Sequence, residues 1–313
     1  MVRRHELSDA QWQKIESLLP VNGRPGGQWA DHRRVINGVL FRARTGVPWP
    51  DLPERYGPWQ TVYERHRRWS ADGTWQRILA TLQIEADAAD PDGALERKLD
   101  DEWAVNIDST TCRAHQHAAG ARHRPTVRLP AKGGGARVEA DGREALGRSR
   151  GGLTSKVHLL ADDRARPLVW RTSPGQRGDS PMFVPVLEEL RIRRRGPGRP
   201  RSRPDRLRGD KAYSSRGNRA YLRRRGIKAT IAQPDDQRAN RRRQGRAGGR
   251  PPAFDKDQYR HRSAVERCVN KWKQYRAVAS RYDKRDYIFN GTLAVTAINI
   301  WLRDTVQEPS ETP

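Results

Sequence analysis

The sequence predicts an α+β protein in two parts. A helical bundle is expected over residues 1–100 and a mixed sheet with flanking helices over 101–304, with a short disordered tail at 305–313. Three observations carry that prediction. The first hundred residues repeat apolar side chains at helical spacing and hold six of the ten tryptophans. From Trp103 onward short strand-like runs come first and then alternate with helical patterns, the order expected of a mixed sheet with helices on its faces. A length of 313 residues, at roughly 100–200 per domain, suggests two domains rather than one.

Along the chain, Ser8-Asp9-Ala10-Gln11 has the form of a capping box. Trp12, Ile15, Leu18 and Leu19 follow at helical spacing until Pro20 ends the run. A second helix is expected over 31–45, with Val35, Val39 and Leu40 as its buried stripe and Gly46 as its stop. After the Pro-punctuated turn GVPWPDLPERYGP, a third helix spans 59–69 and a fourth 74–86. The run WAVNIDSTT (103–111) reads as an apolar strand ending in polar residues. Segments 153–163 and 166–174 form a strand pair joined by the turn Asp162-Asp163-Arg164. A helix at 180–190, a strand at 206–209, a helix at 215–225 and a strand at 228–233 follow, and helices at 255–276 and 287–303 close the chain. Segments 113–150, 191–206 and 235–252 are dense in Gly, Pro and Arg and are expected to be flexible basic loops open to phosphate contact.

Composition narrows the function. Lys and Arg number 62 against 37 Asp and Glu, a net charge of +25, and only ten of the cations are Lys. Arg is the side chain best shaped to fork onto phosphate, so nucleic acid is the leading partner. A GC-rich genome inflating Arg codons would produce the same excess. No stretch approaches the ~18 apolar residues of a membrane span, and the N-terminus lacks the apolar run of a signal peptide. Cys112 and Cys268 are too few for a disulfide framework, which favours a reducing cytoplasm. The 59–69 helix sets apolar Trp59, Val62, Tyr63 and Trp69 against Arg65, Arg67 and Arg68, as a recognition helix needs. An ordinary amphipathic helix has the same pattern. His115, His117 and His123 near Cys112 lack a CxxC partner and are not read as a zinc site, and Gly133–Gly135 lacks the Lys-Ser/Thr of a P-loop.

Three acids stand out by position. Asp108 ends the first predicted strand in NIDST, and Asp210 follows a later one in GDKAYSS. Strand ends of this kind are where such sheets build their sites. Glu266 lies on the predicted 255–276 helix, where Tyr259, Arg262, Glu266 and Lys273 sit at offsets 0, 3, 7 and 14. At about 100° per residue these fall in one arc roughly 60° wide, beside an apolar face of Val265, Cys268, Val269 and Trp272. A chain of surface ion pairs along an amphipathic helix would look the same. Two strand carboxylates and one helix carboxylate could hold a pair of Mg²⁺ ions, which take hard oxygen ligands and leave positions open for phosphate and water. A two-metal clamp stabilises both the attacking and the leaving oxygens of an in-line phosphodiester displacement.

The motifs NIDST, GDKAYSS and Y-x2-R-x3-E-x6-K together resemble bacterial insertion-sequence transposases of the DDE type. GRSRGGLTSKVHL (147–159), SPGQRGDSPM (173–182), ERCVNKWKQYRAVASRYDK (266–284) and the opening LSDAQWQKIESLLP are similar to the same group, so the resemblance spans nearly the whole chain. It implies an RNase H-like catalytic domain in which Asp108, Asp210 and Glu266 are catalytic metal ligands. It also implies an N-terminal helix-turn-helix-like domain that helps recognise terminal inverted repeats, and contacts from Tyr259, Arg262 and Lys273 to transposon-end DNA. The expected reaction is Mg²⁺-dependent cleavage and strand transfer of the cut-and-paste type, with two metal ions and Mn²⁺ able to substitute. Double-stranded DNA, as transposon ends and target, is the expected partner, a homodimer the expected form of the synaptic complex, and the bacterial cytoplasm at the nucleoid the expected location. The rival readings are a non-catalytic DNA-binding regulator descended from such an enzyme and a related metal-dependent nuclease that cleaves without joining.

Overall fold

The computed structural model describes residues 4–21, 28–89, 102–121 and 144–306. The domain boundary near residue 100, His123, Gly133–Gly135 and the tail beyond 306 lie outside them.

The N-terminal part contains α1 (Asp9–Gln13), α2 (His32–Thr45), α3 (Trp59–Ala71) and α4 (Thr74–Ala89). The capping box forms: the Gln11 amide donates to Ser8 Oγ and the Ser8 amide to Gln11 Oε1. α1 is nonetheless shorter than its periodicity predicts. The chain tightens into a 3-10 turn at Glu16–Leu18, which still carries Ile15 and Leu19 into the core. α2 ends where expected, with Gly46 in the left-handed region at φ +71° and a β-carbon there only 2.9 Å from the Arg276 side chain. Turn conformation and close packing both require that glycine.

The rest of the chain runs β1 (Ala104–Ala114), α5 (Gln116–Ala119), β2 (Gly147–Ser149), β3 (Gly152–Ala161), β4 (Pro167–Pro174), α6 (Phe183–Glu188), β5 (Arg206–Gly209), α7 (Arg216–Arg224), β6 (Lys228–Ile231), α8 (Asp235–Arg243), α9 (Lys256–Arg260), α10 (Ser263–Lys273), α11 (Arg276–Ala279), β7 (Ser280–Arg281) and α12 (Asp286–Thr305). β3 lies antiparallel to β1 on one side and to β2 and β4 on the other. On the far side of β1, β5 and β6 run parallel to it, giving the order β4-β3-β1-β5-β6, and β7 pairs with the end of β1. This is the mixed sheet with flanking helices that the sequence predicts, in the RNase H-like order. α10 packs over β1 and β3, with Val265, Cys268 and Trp272 fully buried.

The two parts share one core. α3 and α4 pack on α12, and α2 packs on α11. Arg42 of α2 pairs with Asp283 at 3.2 Å, and His66 of α3 lies 3.3 Å from the Thr292 hydroxyl of α12. A β-carbon on Gly291 would sit 1.8 Å from Ser70 Oγ, so the absence of a side chain there lets α3 close on α12.

Further expectations are corrected. The helix expected over 255–276 is broken: α9 stops at Arg260, a turn follows at His261 and Arg262, and α10 starts at Ser263. The cause is tertiary. Gln258 is buried and accepts from the Arg208 guanidinium at 2.7 Å, so α9 is tied to β5. The loop expected over 235–252 contains α8 and a 3-10 turn at Gly245–Gly248. α8 buries no residue, so no apolar period announces it. Asp235 and Asp236 in its first turn and Arg241, Arg242 and Arg243 in its last match the helix dipole instead. β1 also continues three residues past its predicted end, into the segment expected to be irregular.

Candidate active site

Register sets the first two carboxylates side by side. β1 and β5 pair in parallel as far as Ile107 and Gly209, and the residue after each of these is an aspartate. A β-carbon on Gly209 would lie 2.9 Å from Ile107 Cγ2, so that glycine is what allows the strands their close approach just before the two acids. Asp108 accepts from the Ser109 amide at 2.8 Å. Asp210 turns the chain out of the sheet by capping the 3-10 turn Lys211–Tyr213, its carboxylate accepting from the Ala212 amide at 2.8 Å.

The third carboxylate arrives from above. Glu266 stands in the first turn of α10, with its side chain half exposed. Arg262, at the turn between α9 and α10, reaches both sides: its guanidinium is 2.5 Å from Glu266 Oε1 and 3.7 Å from Asp108 Oδ2. It also lies over the Tyr259 ring at 5.5 Å, and that ring meets Phe254 at 5.1 Å. Asp108 feels this crowding. Its carboxyl is pushed up to about 6, mainly by burial and further by the charges of Asp210 and Glu266, against the lowering effects of the Ser109 amide and Arg262. A carboxyl raised by burial together with neighbouring carboxylates is a pattern found at functional sites.

Asp108, Asp210, Glu266, Arg262 and Tyr259 are thus brought to one end of the sheet. Lys273 is exposed in the last turn of α10, and its charge is felt at Cys112, further along β1. The broken helix changes one inference: Tyr259 belongs to α9, not to the arc of α10, and reaches the site through Arg262. Among the α3 cations, Arg65 is corrected. It is only 5% exposed, stacks on Trp29 at 4.0 Å and meets His32 Nδ1 at 2.5 Å. Burial lowers its proton affinity to about 10. It is a packing cation, unavailable to a groove. Arg67, paired with Glu64 at 2.8 Å, and Arg68 remain exposed. Sequence reasoning also missed a group behind Asp108. Ser109 donates to Asp179 at 2.6 Å, Lys156 pairs with Asp179 at 2.8 Å, and buried Tyr213 has Asp179, Asp108 and Asp210 around it. Asp179 lies within SPGQRGDSPM, and nothing in its spacing separated it from the rest of that segment.

The donor set suits a hard divalent cation. It offers only carboxylate oxygens, and their mutual repulsion is the deficit that such an ion relieves. Among the described residues no three acidic side chains enclose an ion in this conformation. The guanidinium of Arg262 supplies a cation between Asp108 and Glu266.

Comparison with known proteins places the chain. Residues 7–79 match the family described as a putative transposase of the IS4/5 family, and residues 100–300 match the transposase DDE domain. An uncharacterized protein, y4sN, of Sinorhizobium fredii is 40% identical over 126 residues, covering 40% of this chain and 89% of its own. The insertion element IS402 uncharacterized 16.2 kDa protein of Burkholderia cepacia is 35% identical over 34% of this chain and 73% of its own. The putative transposase for insertion sequence element IS6501 of Brucella ovis is 29% identical over 48% of this chain and its whole length. With its sheet in RNase H-like order and some two hundred residues matched to that catalytic domain, the chain belongs to the DDE transposase family.

Proposed function

We propose that this transposase binds the inverted repeats at the ends of its own element and catalyses Mg²⁺-dependent strand cleavage, then strand transfer, in a cut-and-paste sequence. One observation carries the reading: Asp108 and Asp210 follow paired residues on adjoining parallel strands, and Arg262 reaches both Asp108 and Glu266. These three carboxylates would hold the metal. When bound, Mg²⁺ stabilises developing charge on the attacking and leaving oxygens of the phosphodiester.

The side chains do the rest. Arg262 is spread between two carboxylates in the DNA-free protein and turns to a DNA phosphate when an end docks, which leaves Asp108 and Glu266 free as ligands. Tyr259 lies beside Arg262 on the approach to the site, and Lys273, at the far end of α10, contacts the DNA further along. Asp108 must be ionised to serve, so its raised proton affinity keeps the site inactive in acid. Water attacks first; the freed 3′-hydroxyl then attacks target DNA in the same cleft, and no side chain becomes joined to DNA. Arg67 and Arg68 on α3 contact the repeat at a distance from the cleft. The helical part to about residue 100 serves end recognition and the part from 101 to 304 catalysis, and two copies bring two ends together.

The test uses a supercoiled plasmid carrying the coding segment with its flanking DNA. Incubated with Mg²⁺, the parent protein nicks at the element boundaries and joins the freed ends to new sites. Asp210→Asn loses both reactions while still binding the plasmid. Full boundary nicking by Asp210→Asn would overturn the reading.

A further inference from the structure

The segment 173–182 meets the start of β3 tightly. A β-carbon on Gly147 would sit 1.8 Å from Gln176 Oε1, and one on Gly175 would sit 1.8 Å from Thr154 Oγ1. Lys156 donates to the Arg177 carbonyl at 3.3 Å. The segment is therefore pressed onto β2 and β3, and it carries Asp179 to a fixed place behind the carboxylates.

From there two chains of hydrogen bonds lead forward. Ser109 Oγ donates to Asp179 Oδ1 at 2.6 Å, and the amide of the same serine donates to Asp108 Oδ1 at 2.8 Å. On the other side, Asn218 Nδ2 donates both to Ser180 Oγ, at 3.2 Å, and to the Tyr213 carbonyl, at 3.1 Å. Tyr213 closes the turn that Asp210 caps. One segment thus touches both strand ends. Asp179 is itself held by Lys156 at 2.8 Å, with His158 Nδ1 3.5 Å away.

We propose that Asp179 is a positioning residue of the carboxylate site, holding Ser109 so that Asp108 keeps its orientation while Ser180 and Asn218 fix the Asp210 turn, and so setting the spacing that a divalent cation meets. The inference rests on the reading of Asp108 and Asp210 as metal ligands. Groups that orient a metal's ligands change metal affinity or activity by about 10–100-fold when removed. Asp179 would do so without touching DNA or the ion. A merely local role, neutralising Lys156, leaves the metal requirement unchanged.

The experiment compares Ser109→Ala, Ser109→Thr and Asp179→Asn with the parent. Two quantities are measured: the Mg²⁺ concentration that half-saturates plasmid nicking, and Mn²⁺ binding to the DNA-free protein, from the electron paramagnetic resonance signal of free Mn²⁺. In Ser109→Ala and Asp179→Asn both constants rise by about tenfold or more, and excess Mg²⁺ restores most of the nicking. Ser109→Thr keeps the hydroxyl and stays near the parent. Parental constants in Ser109→Ala, or slower nicking with an unchanged Mg²⁺ midpoint, overturn the proposal. If Asp179→Asn does not fold, the Ser109 pair alone decides. Asp210→Asn separates the two levels: its parental nicking would sink the metal-ligand reading, whereas a dead Asp210→Asn beside a parental Ser109→Ala sinks only the role of Asp179.

Discussion

Two of the arginine–aspartate arrangements in the molecule have the same ingredients and opposite environments. In the first, Arg42 and Asp283 are 5% and 4% exposed, Thr292 donates to the free oxygen of Asp283 at 2.8 Å, and the Arg42 guanidinium lies 4.9 Å over the Trp49 ring. Burial alone would raise the Asp283 carboxyl, yet Arg42, His66, Thr292 and Arg281 together hold it below its ordinary value. In the second, Arg262 is shared between Asp108 and the half-exposed Glu266, and the Asp108 carboxyl is pushed up, first by burial and then by the charges of Asp210 and Glu266. The first arrangement is electrically complete and joins the N-terminal helices to α12. The second sets three carboxylates around one guanidinium, with Asp108 largely buried and Glu266 half exposed. Charge balance, more than the presence of charge, separates an ion pair that holds the fold from one that leaves room for chemistry.

Matched Asp→Asn substitutions break this contrast most sharply. Asp283→Asn leaves Arg42 buried without its counter-charge and destabilises the protein by about 3–5 kcal/mol, read from denaturant unfolding. Asp108→Asn acts in the other direction. Removing a charge that its surroundings disfavour stabilises the metal-free protein at pH 8 by about 2 kcal/mol, while boundary nicking is lost. An Asp108→Asn protein that melts below the parent at pH 8 would refute the comparison.

The pH dependence follows from the same two shifts. The native Asp108 carboxyl titrates at about 6 against an ordinary 3.8, so the folded state holds a proton that the unfolded chain has released. Its contribution to stability is full below about 3.8 and is lost as pH rises through about 6. The gap between parent and Asp108→Asn therefore closes in acid, and parental nicking at limiting Mg²⁺ falls as pH drops below 6. Asp283 carries the opposite sign. Its pairing supports the fold above the ordinary carboxylate value and is lost as pH falls below it, which unfolding curves carried from pH 8 down to about 1 resolve.

The smallest effects are expected on α3. Arg67→Ala and Arg68→Ala each lower the slope of log binding constant against log salt by about 1 and leave melting unchanged. Arg65→Ala lowers melting and leaves the salt slope as it was, since that side chain is stacked on Trp29 and Trp69 rather than presented to solvent.

Much of this was legible because its cause is local. The Ser8 capping box, the Asp31 and Gly46 limits of α2 and the strand pair around Asp162–Arg164 depend on residues within a few positions of one another. The acids Asp108, Asp210 and Glu266 could be singled out because strand ends and helix periods are written in the sequence. Two things were not legible in that way. α8 has no apolar face, and its charges looked like those of a loop. The segment before the break is held by Arg208, fifty residues earlier, through a hydrogen bond to Gln258.

By itself the sequence determined most of the helices and strands and their order, the family, the excess of 25 positive charges and the identity of the acids. Only the tertiary structure decided how those charges are used. It buried Arg65 and Arg42 as packing cations, set Arg262 between two carboxylates, and brought Asp179 behind Ser109 from seventy residues away. The physical reason is range: capping, periodicity and turn chemistry act over a few residues, whereas burial and charge pairing depend on which distant segments the closed sheet and the shared core bring together.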